Sequence, residues 1–321
     1  MTTPIGTEIS EKPLFVYGTL MPGEIAHELL TGLVSHYEGA KLPGYTLMMR
    51  DLMPLVDKSD HSDYVEGFIL TPKPEKASEF YEKLIKFEGS NFELTDCICK
   101  KDNSQEVEVV VFKGVETDYG RPERLGYKRW STRLDPLLSK SFPVLIQDIQ
   151  ETVNTRPLTF TEGQNDWKMK NRKISNFLLL SSILEHIWSL THGALFTGEK
   201  GEINNLRKGM AKSPGYKSAF KTAKRLNLIP YISISDSRDV RQGPISTTSS
   251  SGALMTWYRV ISNSLHRGKS GSDTEIVEDA SIGLGNLLMF YLESQVPGIR
   301  EEWDKEVPNL QPIVRKMSFI L

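Results

Sequence analysis

The sequence predicts an α+β chain in which a small barrel-like domain of short strands precedes an all-α bundle. Three observations carry this reading. Up to Phe112, short apolar stretches are broken repeatedly by Gly, Pro, Asp and Asn, the punctuation of strands and turns. From Pro143 onward, apolar residues recur three and four positions apart, the repeat of helices buried on one face. Between the two lies Gly114 to Arg124, polar and turn-rich around Tyr119-Gly120-Arg121-Pro122. The domains are accordingly placed at 1–120 and 165–321, with a connecting segment and the first helices at 121–164.

Taken in order, Leu14-Phe-Val-Tyr17 is a first strand that runs into a turn at Gly18 to Gly23. Gly18 lets the backbone approach a ligand, so the amides of Tyr17, Gly18, Thr19 and Leu20 can point at a carboxylate or an amide carbonyl. An ordinary strand-to-turn transition explains the same residues equally well. Glu24 to Leu33 has the pattern of a short helix, and strands follow at Tyr45 to Arg50, Met53 to Val56 and Tyr64 to Leu70. Ala77 to Phe87 is a helix with Phe80, Tyr81, Leu84 and Ile85 on its apolar side. Strands at Asn91 to Lys100 and Val107 to Phe112 flank the polar turn Lys101 to Gln105. Many strands and few helices point to a barrel-like α+β unit.

The helical half opens with Val144 to Val153, which stops at Asn154 to Pro157. A loop is expected from Thr159 to Asp166. Lys173 to Leu190 is apolar on almost every side and is expected to be a central helix ended by His192 and Gly193; Glu185 and His186 read as a satisfied buried pair within it. Glu202 to Lys212 and Pro214 to Leu226 are two shorter amphipathic helices, Pro230 to Ile245 is irregular, and Thr248 to Ser251 can cap the helix that follows. A last helix is expected over Glu275 to Leu292, and the tail beyond is uninformative.

Composition narrows the function. The hydrophobic fraction of 39% and charged fraction of 25% in 321 residues are those of an ordinary globular chain. A formal net charge of −2 gives no global basic field, so nucleic acid would need a local patch. Lys168, Lys170, Arg172 and Lys173 form one candidate, and Lys217, Lys221, Lys224 and Arg225 another, although a solvated helix face is the commoner meaning of such runs. The two cysteines, Cys97 and Cys99, alternate on one strand and read as buried thiols in a reducing cytosol. No metal and no cofactor are expected, because no histidine or further cysteine stands at ligand spacing. No apolar run approaches the ~20 residues that a membrane span needs, so a cytoplasmic location without a membrane partner follows.

Three features of the first domain, in order, resemble the gamma-glutamylcyclotransferase fold: Phe15-Val-Tyr-Gly-Thr-Leu20, Val65-Glu-Gly-Phe-Ile-Leu70 and Phe87-Glu-Gly-Ser-Asn-Phe92. The resemblance implies that the backbone at Tyr17 to Leu20 cradles a gamma-glutamyl-like ligand. It also implies that Glu88 is the acid/base through which the substrate's own amine closes on the gamma carbonyl to give 5-oxoproline. A carboxylate beside Phe87 and Phe92 has its pKa raised toward working pH, as proton transfer requires. The family commonly has Tyr-x-Arg after the glutamate and glycine, where this chain has Phe92-Glu93-Leu94.

The second resemblance centres on Thr256 to Lys269. Arg259 and His266 are seven residues apart and return to nearly one helix face, with Ser262 and Asn263 between them. Arginine binds phosphate while histidine moves a proton at neutral pH. A solvated polar face is the simpler reading of that row taken alone. Tyr258-Arg-Val-x-x-Asn263-x-x-His266-x-Gly-Lys269, followed by the acidic segment Asp273 to Leu292, resembles the HEPN superfamily of helical domains, many of them metal-independent RNases. An arginine that one branch places five residues before the histidine is Ile261 here. The resemblance implies a homodimer through the helical domain, RNA as partner, Arg259 on the phosphate, His266 as acid/base and Asn263 as orienter, in a toxin or phage-defence setting. The first domain would then sense a small ligand. The alternative is a gamma-glutamyl amine cyclotransferase whose helical domain only dimerises.

Overall fold

The structure is a computed structural model that describes residues 12–50, 53–59, 62–115, 121–155, 164–192, 210–234, 245–267 and 272–315, with the side chains at 164–167, 262–267 and 272–274 outside that description. The chain is mixed α+β and divides into two compact units. One comprises Met1–Asp135 with Trp188–Glu202, the other Pro136–Ile187 with Ile203–Leu321.

In the first unit, β1 (Leu14–Val16), β2 (Val34–Pro43), β5 (Tyr64–Pro72), β6 (Phe92–Lys101) and β7 (Glu106–Gly114) close a barrel in the order β1-β5-β2-β6-β7, with β7 returning parallel to β1. β3 (Tyr45–Arg50), β4 (Met53–Lys58) and β8 (Glu123–Arg124) form a second sheet, β4-β3-β8. Every residue of β1 is buried, as an apolar run inside a barrel should be. β1 pairs antiparallel with β5 through Leu14 and Leu70, Phe15 and Ile69, and Val16 and Phe68. Gly67 continues β5 at a point where a side chain would collide with the Val16 carbonyl oxygen and the Phe15 ring, which is why the Val-Glu-Gly-Phe stretch carries a glycine. Between β5 and β6, α1 (Ala77–Glu88) turns Phe80, Tyr81, Leu84 and Phe87 into the core.

Two expectations for this unit change. The stretch Glu24 to Leu33 holds only a 3-10 turn at His27–Leu30, since Pro22-Gly23 and Gly32 bracket it too tightly for an α-helix. The longest strand alongside β6, β2, escaped the sequence reading: most of it is only partly buried or exposed, and its His-Tyr-Glu-Gly stretch hides the alternation.

The second unit contains α2 (Phe142–Asn154), α3 (Gln164–His192), α4 (Pro214–Arg225), α5 (Ser250–Arg267), α6 (Ser272–Gln295) and α7 (Ile299–Glu306), with a two-residue pairing of β9 (Ser233–Ile234) and β10 (Ile245–Ser246). The last turn of α3 falls in the first unit. Helix α6, not α3, is central: it packs against α2, α4, α5 and α7 and is buried without a break from Ala280 to Met289. Helix α3 buries Phe177, Leu180, Ile183 and Leu184 but leaves Leu179, Ser182 and Glu185 in solvent. Glu185 and His186 are thus no buried pair; Glu185 is exposed and His186 half-buried.

Asn286, fully buried on α6, donates to the carbonyls of Leu228 and Ile313 and accepts from the Ile313 amide, fastening the following chain to the central helix. α7, unforeseen because it is short and acidic, is anchored by Trp303, whose indole donates to the Leu138 carbonyl at 2.9 Å. The Ser249 hydroxyl accepts the Gly252 amide at 3.1 Å and caps α5 as expected. Helix α3 is already formed at Gln164, inside the expected loop, whereas 156–163 and most of the expected Glu202 to Lys212 helix lie outside the described residues. Among the described residues no helix is long and apolar enough to cross a membrane.

Candidate functional site

The first unit holds a pocket lined by Phe15 to Leu20, Met53, Pro54, Phe87, Glu88, Asn91, Phe92 and Phe112. The sequence-predicted Glu88, Tyr17, Gly18, Thr19 and Leu20 therefore come together on one cavity. Local backbone explains why. Glu88 is the last residue of α1, and Gly89 turns the chain at φ 62° and ψ −150°, a region essentially restricted to glycine. Gly89 closes the helix by donating its amide to the Ile85 carbonyl, and a 3-10 turn through Asn91 leads into β6. The glutamate is thus held at the rim of a helix whose C-terminus gives its negative charge no support.

Glu88 remains partly accessible, yet loss of water around its carboxyl pushes its pKa up to about 8. Tyr17 stands close enough to feel it. Burial raises the Tyr17 hydroxyl well above its ordinary value, and the nearby Glu88 charge raises it further. That hydroxyl donates to the Phe112 carbonyl at 2.6 Å, so the ring is a structural strut and the part of Tyr17 left for a ligand is its backbone.

Beyond Tyr17 the chain folds sharply. The carbonyls of Gly18, Thr19 and Leu20 accept, respectively, the Met21 amide at 3.0 Å, the Ala26 amide at 2.9 Å and His27 Nδ1 at 2.9 Å. The amides of the same three residues carry no hydrogen bond to an acceptor among the described residues. Successive unbonded N–H groups on a pocket-lining turn are suited to a carboxylate or a carbonyl oxygen. A side chain at Gly18 would meet Pro54 at 2.8 Å, so the turn can lie this near β4 only with glycine there.

The sequence reading missed four contributing residues. Arg50, buried on β3, donates to the Val115 carbonyl at 2.7 Å and the Asn91 carbonyl at 3.4 Å, bracing the turn that carries Glu88. Ser189 and Leu190, from the short segment of α3 counted with the first unit, complete the lining. Nothing local in the sequence marks them; only the tertiary fold brings them here. His27 is the fourth, spaced seven residues from the carbonyl it holds.

The helical unit was expected to carry Arg259, Asn263 and His266. α5 spans all three without interruption, and its register returns positions 259, 263 and 266 to one face. Arg259 is half-buried beside the exposed Tyr258, while the side chains of Asn263 and His266 lie outside the described residues, as do Gly268 and Lys269. Of the two basic runs, that on α3 is partly consumed: Arg172 pairs with Asp148 and Lys173 with Glu278. The run on α4 keeps Lys217, Lys221, Lys224 and Arg225 exposed. Cys97 and Cys99 are free thiols, Cys99 buried and Cys97 partly so, and no cluster of metal-binding side chains occurs among the described residues.

Residues 14–132 match the family model described as gamma-glutamyl cyclotransferase, AIG2-like. The chain thus has an N-terminal domain of that type followed by a helical region that the match does not reach. Comparison with curated proteins gives no match. Among solved structures, an Arabidopsis thaliana protein determined in solution is similar at 21% identity and TM-score 0.29, over 33% of this chain and 69% of that one. YkqA from Bacillus subtilis is similar at 20% identity and TM-score 0.30, over 40% of this chain and 42% of its own. A structure described as gamma-glutamyl cyclotransferase is similar at 13% identity and TM-score 0.27, over 35% of this chain and 70% of that one. Likeness at this level says nothing about activity.

Proposed function

We propose that the first unit is a gamma-glutamyl amine cyclotransferase. The observation that carries this reading is a carboxyl group with a pKa of about 8 on the same pocket as a turn of unbonded backbone amides. Such a group exchanges protons readily near neutral pH. In the reaction the turn amides hold the substrate's gamma-glutamyl part. The alpha nitrogen attacks the gamma carbonyl carbon, the new C–N bond closes the five-membered ring, and the old amide C–N bond breaks. Glu88 takes the proton shed by the attacking nitrogen and returns it to the departing amine, so the carboxylate is regenerated and no oxidant or cofactor enters the balance.

Substrate class follows from the lining. It includes no lysine or arginine among the described residues, and phenylalanines form much of it. A gamma-glutamyl amino acid would bring a second carboxylate into apolar surroundings, which costs desolvation, whereas a simple amine conjugate would not. The full-length protein should therefore release 5-oxoproline and free amine from gamma-glutamyl alkylamides faster than from gamma-glutamyl amino acids, and Glu88→Gln should abolish it. Absence of product with every gamma-glutamyl amide would sink the proposal.

A second reading concerns the helical unit. Positions 259, 263 and 266 share one face of α5, and α4, which packs on α5, presents four exposed cations; both support the proposal of an RNA-cleaving homodimer with Arg259, Asn263 and His266 at its centre. Purified protein incubated with RNA in EDTA, alongside His266→Ala, tests it. Cleavage retained by the variant would point to a contaminant.

A further inference from the structure

Three consecutive carbonyls beyond β1, those of Gly18, Thr19 and Leu20, are each taken up by a donor, and the donors differ in kind. Two are backbone amides of the same segment, from Met21 and Ala26, at 3.0 and 2.9 Å. The third, at Leu20, is a side chain: His27 Nδ1 at 2.9 Å. A peptide unit is rigid, so fixing where a carbonyl points also fixes the N–H at its other end. The Leu20 carbonyl shares its plane with the Met21 amide, which in turn closes the turn onto Gly18. If the Leu20 carbonyl were released, that plane would keep only the bond from the Met21 amide to Gly18, and the turn whose amides stay unbonded would lose one of its two fastenings.

The imidazole is itself held. It starts the 3-10 turn His27–Leu30, is half-buried, and makes a T-shaped contact with the Tyr37 ring with centroids 6.0 Å apart; Tyr37 in turn makes a T-shaped contact with Phe68 at 6.1 Å. Because a carbonyl oxygen only accepts, Nδ1 must be the protonated nitrogen of this contact. We propose that His27 is a positioning residue for the pocket: its Nδ1–H locks the Leu20 peptide and so keeps the Gly18 to Leu20 amides arranged for an anionic or carbonyl oxygen of the ligand. It does not touch the ligand. This rests on the cyclotransferase reading for what that ligand is, but not for the geometry it asserts.

Asparagine separates a donor from mere bulk, since its side-chain amide can place an N–H close to where histidine Nδ1 sits, whereas alanine cannot and glutamine reaches too far. The experiment uses full-length protein, 5-oxoproline as binding probe and a gamma-glutamyl alkylamide as substrate, with backbone amide NMR of Gly18 to Met21. His27→Ala is expected to weaken 5-oxoproline binding and raise KM by about tenfold, the scale of one lost hydrogen bond, with kcat nearly unchanged and the amide resonances displaced. His27→Asn should restore all three.

Wild-type behaviour in both variants overturns the proposal. Equal loss in both also overturns it, because that would assign His27 to packing against Tyr37. If wild type neither binds 5-oxoproline nor turns over substrate, the cyclotransferase reading falls, and the positioning role is decided by the resonances: displaced by alanine and restored by asparagine upholds it, undisplaced overturns it.

Discussion

Replacing Glu88 by glutamine removes the one ionisable group whose charge the pocket penalises most clearly while keeping its size and a hydrogen-bonding head. The carboxyl's pKa stands at about 8 in the folded chain against an ordinary value of 4.5. Between those two values the folded chain retains a proton that the unfolded chain gives up, so wild-type stability declines as pH rises from about 4.5 and levels off above about 8. Fully expressed, a shift of that size is worth about 5 kcal/mol above pH 9 and about 3 kcal/mol at pH 7. Glu88 keeps some solvent, which relieves part of the penalty; about 2 kcal/mol at pH 8.5 is the effect expected.

Glutamine cannot ionise, so the Glu88→Gln chain should match wild type near pH 4.5 and exceed it increasingly toward pH 8.5. Urea unfolding of full-length protein, followed by hydrogen exchange in the β1 and β7 peptides, reads this in the unit where it belongs. The same group should leave a titration midpoint near 8 in the wild-type kcat/KM profile. A stability gap that is constant between pH 5.5 and 8.5, or that shrinks as pH rises, would refute the burial argument and the proton-transfer role built on it.

Gly67→Ala should destabilise the barrel by about 3 kcal/mol or more, because the added methyl meets the Val16 carbonyl and the Phe15 ring, neither of which can move without breaking β1 from β5; thermal unfolding read at β1 checks it. Asn286→Leu should cost the helical unit about 3 kcal/mol by stranding three backbone groups in the core, seen as a lower urea midpoint for helix loss and early exchange at Leu228 and Ile313. Cys99, held protonated first by its hydrogen bond with Cys97 and then by burial, should resist iodoacetamide in the native chain, and rapid labelling there would contradict the barrel packing.

The legible parts of this fold were those where one residue type answers one local demand. Apolar runs gave β1 and β7; Phe80, Tyr81 and Leu84 gave α1; the Ser-rich run gave the cap of α5. Glu88 and the Tyr17 to Leu20 turn were singled out by the resemblance of Phe15 to Leu20 and Phe87 to Phe92 to the cyclotransferase fold, and the structure places them on one pocket. What stayed hidden depends on partners distant in sequence. β2 is a barrel strand although most of its residues keep contact with solvent, so only its neighbours β5 and β6 reveal it. Helix α6 outranks α3 at the centre because its neighbours surround it, a property of assembly that apolar content in α3 mimicked. The bond from His27 to the Leu20 carbonyl is invisible for a further reason: a histidine donating to backbone leaves no pattern of spacing.

The three glycines around the pocket answer different demands, and that difference argues that the site is built from backbone rather than from side chains. Gly89 is needed for its dihedral angles, which let the chain leave α1 immediately after Glu88. Gly67 is needed for space against the Val16 carbonyl, which lets β1 lie close enough to β5 for the turn after Tyr17 to start where it does. Gly18 is needed for space against Pro54, which lets that turn rest beside β4. Each removes a side chain so that peptide groups can be placed, and the one carboxyl group among the described residues of the pocket lining, Glu88, is then delivered to a wall of otherwise uncharged residues. A lining of this kind can change its apolar residues, as at Phe92 and Leu190, and so change which amine it accepts, while the peptide framework that holds the gamma-glutamyl part stays in place.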